Sequence, residues 1–96
     1  MTYIRLSIAK PRHGQEKRLE AIMTELNRFA ASQPGCRKSY LLHPHDDSGE
    51  IARISIYEDE ASAEHAANTD HILSLRAELH LACEPGHTER AFFSEE

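Results

Sequence analysis

Tryptophan is missing from all 96 residues of this chain, and cysteine, glycine and proline are sparse. Cys36 and Cys83 are too few and too far apart for the disulfide framework of a small secreted domain, which points to reduced, buried thiols in a cytoplasmic protein. Neither has a histidine or a second cysteine at ligand spacing, so no structural zinc is expected. No apolar run approaches the roughly 20 residues of a membrane span. Met1 leads directly into Thr2-Tyr3-Ile4, and Arg5 interrupts the apolar stretch, so no signal peptide is expected. Positive charge is also short. Eleven Lys and Arg against 16 Asp and Glu leave a formal net charge of -5, which disfavours a nucleic acid or an anionic membrane as partner. No phosphate-cradling glycine loop or dinucleotide fingerprint is found, so no nucleotide cofactor is indicated.

What is present is an ordered change of hydrophobic period. Strand-like alternation over Tyr3 to Ala9 gives way to an i, i+3, i+4, i+7 stripe of Leu19, Ile22, Met23, Leu26, Phe29 and Ala30. Gln33-Pro34-Gly35 stops that helix. Two strand-like runs follow, Cys36 to His43 and Ile51 to Tyr57, joined by a loop over Pro44 to Gly49. A second helical region, Glu60 to Cys83, starts at Asp59 as N-cap and breaks or bends near Asn68-Thr69-Asp70, residues that prefer caps and turns. A last strand runs from Thr88 to Ser94. The order predicts one α+β domain over residues 1–96, the ferredoxin-like split β-α-β-β-α-β plan. Its four-stranded antiparallel sheet carries both helices on one face.

The other face of that sheet decides what the protein does. Placing the aliphatic sets (Ile4, Leu6, Ile8; Ala52, Ile54, Ile56) under the helices leaves Tyr3, Arg5 and Ser7 beside Arg53, Ser55 and Tyr57 on the open side. A second copy of the chain is the expected cover, giving a homodimer. Arg5 and Arg53, two neighbouring cations, then need compensation from an anionic ligand or from glutamates such as Glu89.

Several segments together resemble the antibiotic biosynthesis monooxygenase family, a branch of the dimeric α/β-barrel superfamily. They are Gln33-Pro34-Gly35-Cys36, the strand through Ser39-Tyr40, the junction Ile56-Tyr57-Glu58-Asp59-Glu60-Ala61, and Ala63-Glu64-His65 to Thr69-Asp70-His71. The likeness runs from Tyr3 to Phe93. It implies sheets packed into a barrel across a dimer and one pocket per subunit between sheet and helices. Relatives include cofactor-independent quinone-forming monooxygenases, haem-degrading enzymes and an autoinducer-processing protein, so the fold does not fix the activity. This chain has Tyr57 where many relatives carry Trp, and Arg76 falls near the position of the haem-ligating histidine, which argues against haem.

Tyr57 and His71 are the catalytic candidates. A phenol can donate to a developing oxyanion and an imidazole can move a proton near neutral pH. The plainer readings are an interface tyrosine and a packed helix-start histidine. Arg5, Arg53, Ser7 and Ser55 are the substrate-binding candidates. His65 reads as solvated. His43, His45, Asp46 and Asp47 could attract a divalent ion but sit in a loop, and no metal or cofactor is assigned. The expectation is a cofactor-free monooxygenase of a small quinol- or anthrone-like molecule. The alternative is a non-catalytic binding or stress-associated dimeric barrel.

Overall fold

In a computed structural model, residues 1–95 are described. The elements are β1 (Thr2–Ala9), α1 (Glu16–Ala31), β2 (Cys36–Leu42), β3 (Ile51–Tyr57), α2 (Glu60–Ala67), α3 (Asp70–Ala82) and β4 (Thr88–Ser94). All pairings are antiparallel in the order β2-β3-β1-β4, with the helices on one face. Of the break or bend expected near Asn68-Thr69-Asp70, the structure shows a break, between α2 and α3. Thr69 caps α3 by accepting from the Ile72 amide, and Asp59 caps α2 by accepting from the Ser62 amide.

The α1 stripe buries Leu19, Ile22, Met23, Leu26 and Ala30. Against it pack Ile72, Leu75, Leu79, Ala82 and Cys83 of α3 and its cap, with Ala9 and Ile51 from the sheet. Each large aliphatic side chain buried there contributes about 1.5–3 kcal/mol relative to exposure. A smaller cluster at the other end joins Tyr3, Tyr57, Ala63 and Ala66. Cys36 is half-buried beside it, not fully buried, and both cysteines are free thiols.

The two sheet faces are the reverse of the sequence expectation. Residues directly opposite on neighbouring strands share a face. One set of rows reads Lys38–Ile56–Ile4–Phe92, then Tyr40–Ile54–Leu6–Arg90, then Leu42–Ala52–Ile8–Thr88. This aliphatic set is the open face; Tyr40, Leu42 and Phe92 are 47%, 40% and 41% exposed. The other set lies under the helices, with Tyr3, Ser7, Ser55 and Tyr57 all buried. Along β1 it reads Tyr3, Arg5, Ser7, Ala9, and along β3 Ile51, Arg53, Ser55, Tyr57. Apolar ends enter the two clusters, and the polar middle lies between them.

Gly35 links α1 to β2 with φ +82°. A Cβ there meets Ser62 Oγ at 2.2 Å and Ser62 Cβ at 2.6 Å, and the Gly35 carbonyl accepts from the Glu58 amide at 2.8 Å. Left-handed strain alone costs an L-residue about 1–2 kcal/mol, and the clash with the first turn of α2 adds to it. Gly35→Ala is expected to lower Tm by at least about 5 °C. Gly14 has a similar φ of +81° with nothing within 4 Å of its Cβ position. The difference between Gly14→Ala and Gly35→Ala in a thermal melt isolates the clash; equal shifts would remove Ser62 as its cause.

Candidate functional site

Between the two clusters the sheet and helices enclose a partly open cavity of about 180 Å³. Its floor is the polar middle of β1 and β3, Arg5, Ser7 and Arg53, with the paired Tyr3 and Tyr57 at one end. Its roof is small-residue: Ala63, Ala66 and Ala67 of α2, with Ile72 of α3. Alanine at these positions is what leaves the space, since a larger side chain there fills it. Arg76 of α3 and Glu89 of β4 close one wall.

The charges are unevenly satisfied. Arg5 Nη2 donates to Glu64 Oε1 at 2.9 Å, and Arg76 Nη2 donates to Glu89 Oε2 at 2.7 Å. Glu89 therefore serves Arg76, where the sequence suggested it for Arg5 and Arg53. Among the described residues no carboxylate is paired with Arg53. Its Nη1 donates to Ser55 Oγ at 2.7 Å, and its Nε is buried without an acceptor, as is Arg5 Nε. Burial pulls the Arg53 guanidinium below its ordinary pKa, opposed chiefly by the Tyr57 phenol and Glu89. Burial also pushes the Tyr57 phenol above its ordinary value of 10.0, so it is protonated at neutral pH and available as a donor.

A hydrogen-bonded chain leads from Arg53 to α1. Ser55 Oγ and Ser39 Oγ are 2.8 Å apart, and Ser39 Oγ donates to Asn27 Oδ1 at 2.6 Å. Arginine only donates, and the Ser39 hydrogen goes to Asn27, so Ser55 must donate to Ser39. This fixes the direction of every link and holds the Arg53 fork toward the cavity. Ser55 is a buried orienter of Arg53, and Ser7 is buried opposite Arg53 on β1.

His71 lies elsewhere. Its Nε2 is 2.9 Å from Glu25 Oε2, its ring tilts against Phe29 with centroids 4.6 Å apart, and its side chain is 44% exposed. It does not line the cavity that holds Tyr57. Glu25 is shared between Arg28 and His71, and those hydrogen bonds, Arg28's first, lower its pKa from 4.5 to about 2. A depressed carboxyl stabilises the fold above its unfolded value, and that stabilisation is lost as pH falls through the folded value. The Tm gap between wild type and Glu25→Gln is therefore expected to be full above pH 4.5 and to close towards pH 2. A gap unchanged across that window would show that the hydrogen bonds of Arg28 and His71 to Glu25 add nothing to stability.

His65 is exposed. In the β2–β3 loop, Asp46 Oδ1 accepts from the Ser48 amide at 3.0 Å. Among the described residues no group of three or more His, Cys, Asp or Glu could hold a metal ion, and no helix is long and apolar enough to cross a membrane. Sequence reasoning missed Glu64 and placed neither Arg76 nor Tyr3 in a pocket. It also missed the link between Ser39 and Asn27, which meet only through folding.

The chain is a split-βαβ domain of the α+β class with a polar, arginine-floored cavity between its sheet and helices. Residues 2–78 match the model of the family described as antibiotic biosynthesis monooxygenase, and the chain belongs to that family. No curated protein matches it in sequence. Among solved structures it is similar to Rv0793 from Mycobacterium tuberculosis, at 17% identity and TM-score 0.91, covering 100% of this chain and 97% of that one. It is also similar to SnoaB, a cofactor-independent oxygenase from Streptomyces nogalater, at 18% identity, TM-score 0.83 and coverage of 99% and 94%. A third is PA3566 from Pseudomonas aeruginosa, at 18% identity, TM-score 0.85 and coverage of 99% and 95%. At these identities the likeness establishes the ferredoxin-like fold.

Proposed function

We propose that this protein is a cofactor-independent monooxygenase of a small quinol-like molecule. The reading is carried by one observation: a protonated phenol, Tyr57, and two guanidinium groups, Arg5 and Arg53, meet in one cavity between sheet and helices. Such a site favours the ionised form of a hydroxylated ring. The ring's own electrons then reduce dioxygen, one oxygen atom enters the ring, and the other leaves as water with two protons. In this scheme a hydroquinone and dioxygen give a hydroxyquinone and water, with no external reductant. Tyr57 donates to the developing oxyanion, Arg5 and Arg53 hold the negative charge, and Ser7 and Ser55 line and orient. Glu89 is the carboxylate on the cavity wall that can accept the ring proton. A cavity below the roughly 300–1,000 Å³ of drug-sized pockets favours one ring over the three of an anthrone.

The same proposal includes a homodimer in the cytoplasm, with the aliphatic face of each sheet covered by the partner. The test is oxygen consumption with a panel of mono- and bicyclic hydroquinones. Uptake of one dioxygen per quinol, with water and not peroxide as co-product, supports the reading. Binding without uptake across the panel selects a non-catalytic carrier of the same ligand.

A further inference from the structure

The cavity holds more positive charge than the neighbouring carboxylates neutralise. Arg5, Arg53, Arg76 and Arg90 belong to its lining, whereas Glu64 is given to Arg5 and Glu89 to Arg76. The Arg90 guanidinium stacks over Phe92, 4.9 Å from the ring centroid. Surplus charge remains on Arg53, whose only hydrogen bond among the described residues is to a neutral hydroxyl. On two residues of the cavity lining, Arg5 and Arg53, the Nε–H is buried without an acceptor among the described residues. Leaving such donors unmet costs far more than meeting them.

The two arginines are diagonal neighbours on one face of adjacent strands, because Arg5 faces Ser55 and Ser7 faces Arg53. Diagonal pairs stand about 7–8 Å apart at the backbone, within joint reach of long side chains. One ligand group that presents two acceptor oxygens and one negative charge satisfies both donors and the surplus together. A carboxylate has that form and matches guanidinium geometry. A neutral enol would leave Arg53 uncompensated until the reaction had begun.

Resting on the proposed quinol chemistry, we infer that the substrate is a hydroxylated aromatic carboxylate. Its carboxylate sits on the Arg53 and Arg5 Nε–H groups beside Ser7, its ring lies under Ala63 and Ala66, and its reacting hydroxyl faces Tyr57. The apolar ends of the cavity take the ring and the polar middle takes the charge. Asn27, Ser39 and Ser55 are positioning residues for Arg53 in this scheme.

Anaerobic calorimetry with 2,5-dihydroxybenzoate, its methyl ester and plain benzoate tests the assignment without relying on turnover. The acid is expected to bind at least about tenfold more tightly than the ester at low salt. Arg53→Met, close in volume, is expected to abolish that preference. Should that variant fail to fold by circular dichroism, the acid-to-ester ratio in the wild-type protein decides alone. An ester that binds as tightly as the acid, or an acid that does not bind, overturns the inference whatever oxygen uptake does. Benzoate binding without oxygen uptake from any quinol would instead overturn the monooxygenase reading and leave the carboxylate site standing.

Discussion

Tyr57→Phe is expected to lower kcat for quinol oxygenation by about 10²–10³ while leaving Tm almost unchanged. Removing one donor aimed at a developing oxyanion has that effect in other enzymes. The change deletes a single oxygen from a ring whose packing against Tyr3, Ala63 and Ala66 is retained. Burial keeps the phenol protonated, so the loss should be similar from pH 6 to 9. Oxygen-electrode kinetics paired with a thermal melt separate the two readings of this residue. A fall in Tm of several degrees with kcat intact makes Tyr57 a packing residue and removes it from the chemistry.

Ile54→Glu carries the second large effect, on assembly. Ile54 lies in the middle row of the open face, between Tyr40 and Leu6. In the proposed two-fold dimer each copy would bury an unpaired carboxylate, a change that costs several kcal/mol per charge. The dimer dissociation constant is expected to rise by on the order of 10³, since each 1.4 kcal/mol is tenfold. Sedimentation equilibrium at micromolar concentration should then shift from twice 10.9 kDa to 10.9 kDa. The helix-facing cavity lies on the other side of the sheet, so circular dichroism should stay native. A wild-type protein already sedimenting at 10.9 kDa would sink the dimer.

Periodicity carried most of the architecture. The α1 stripe, the Asp59 cap, the break at Asn68-Thr69 and the limits of β4 all follow from local rules that act within a few residues. What local rules do not carry is which side of a strand meets the helices. Alternation along β1 separates Ile4, Leu6 and Ile8 from Tyr3, Arg5 and Ser7, and both sets obey the same period of two. Greasier-side-inward is the natural expectation for a lone domain, and here the aliphatic side is the open one, with Tyr40, Leu42 and Phe92 exposed. Arg5 and Arg53 were legible as a neighbouring pair, since β1 and β3 adjoin in this plan. Their partners were not. Glu64 comes from α2, and the Ser39–Asn27 link joins β2 to α1, so both depend on how the helices lie across the sheet. His71 illustrates the converse: a residue with suggestive chemistry that folding places against Glu25 and Phe29.

The three cavity-lining alanines of α2, Ala63, Ala66 and Ala67, have a practical meaning for redesign. Their methyl groups set the headroom above the arginines, and they belong to a two-turn segment held by its own caps. Serine or valine at Ala63, Ala66 or Ala67 changes that clearance by one heavy atom or two, and no strand residue is altered. A library confined to these codons would therefore explore ligand size and shape independently of charge recognition, which stays with the sheet.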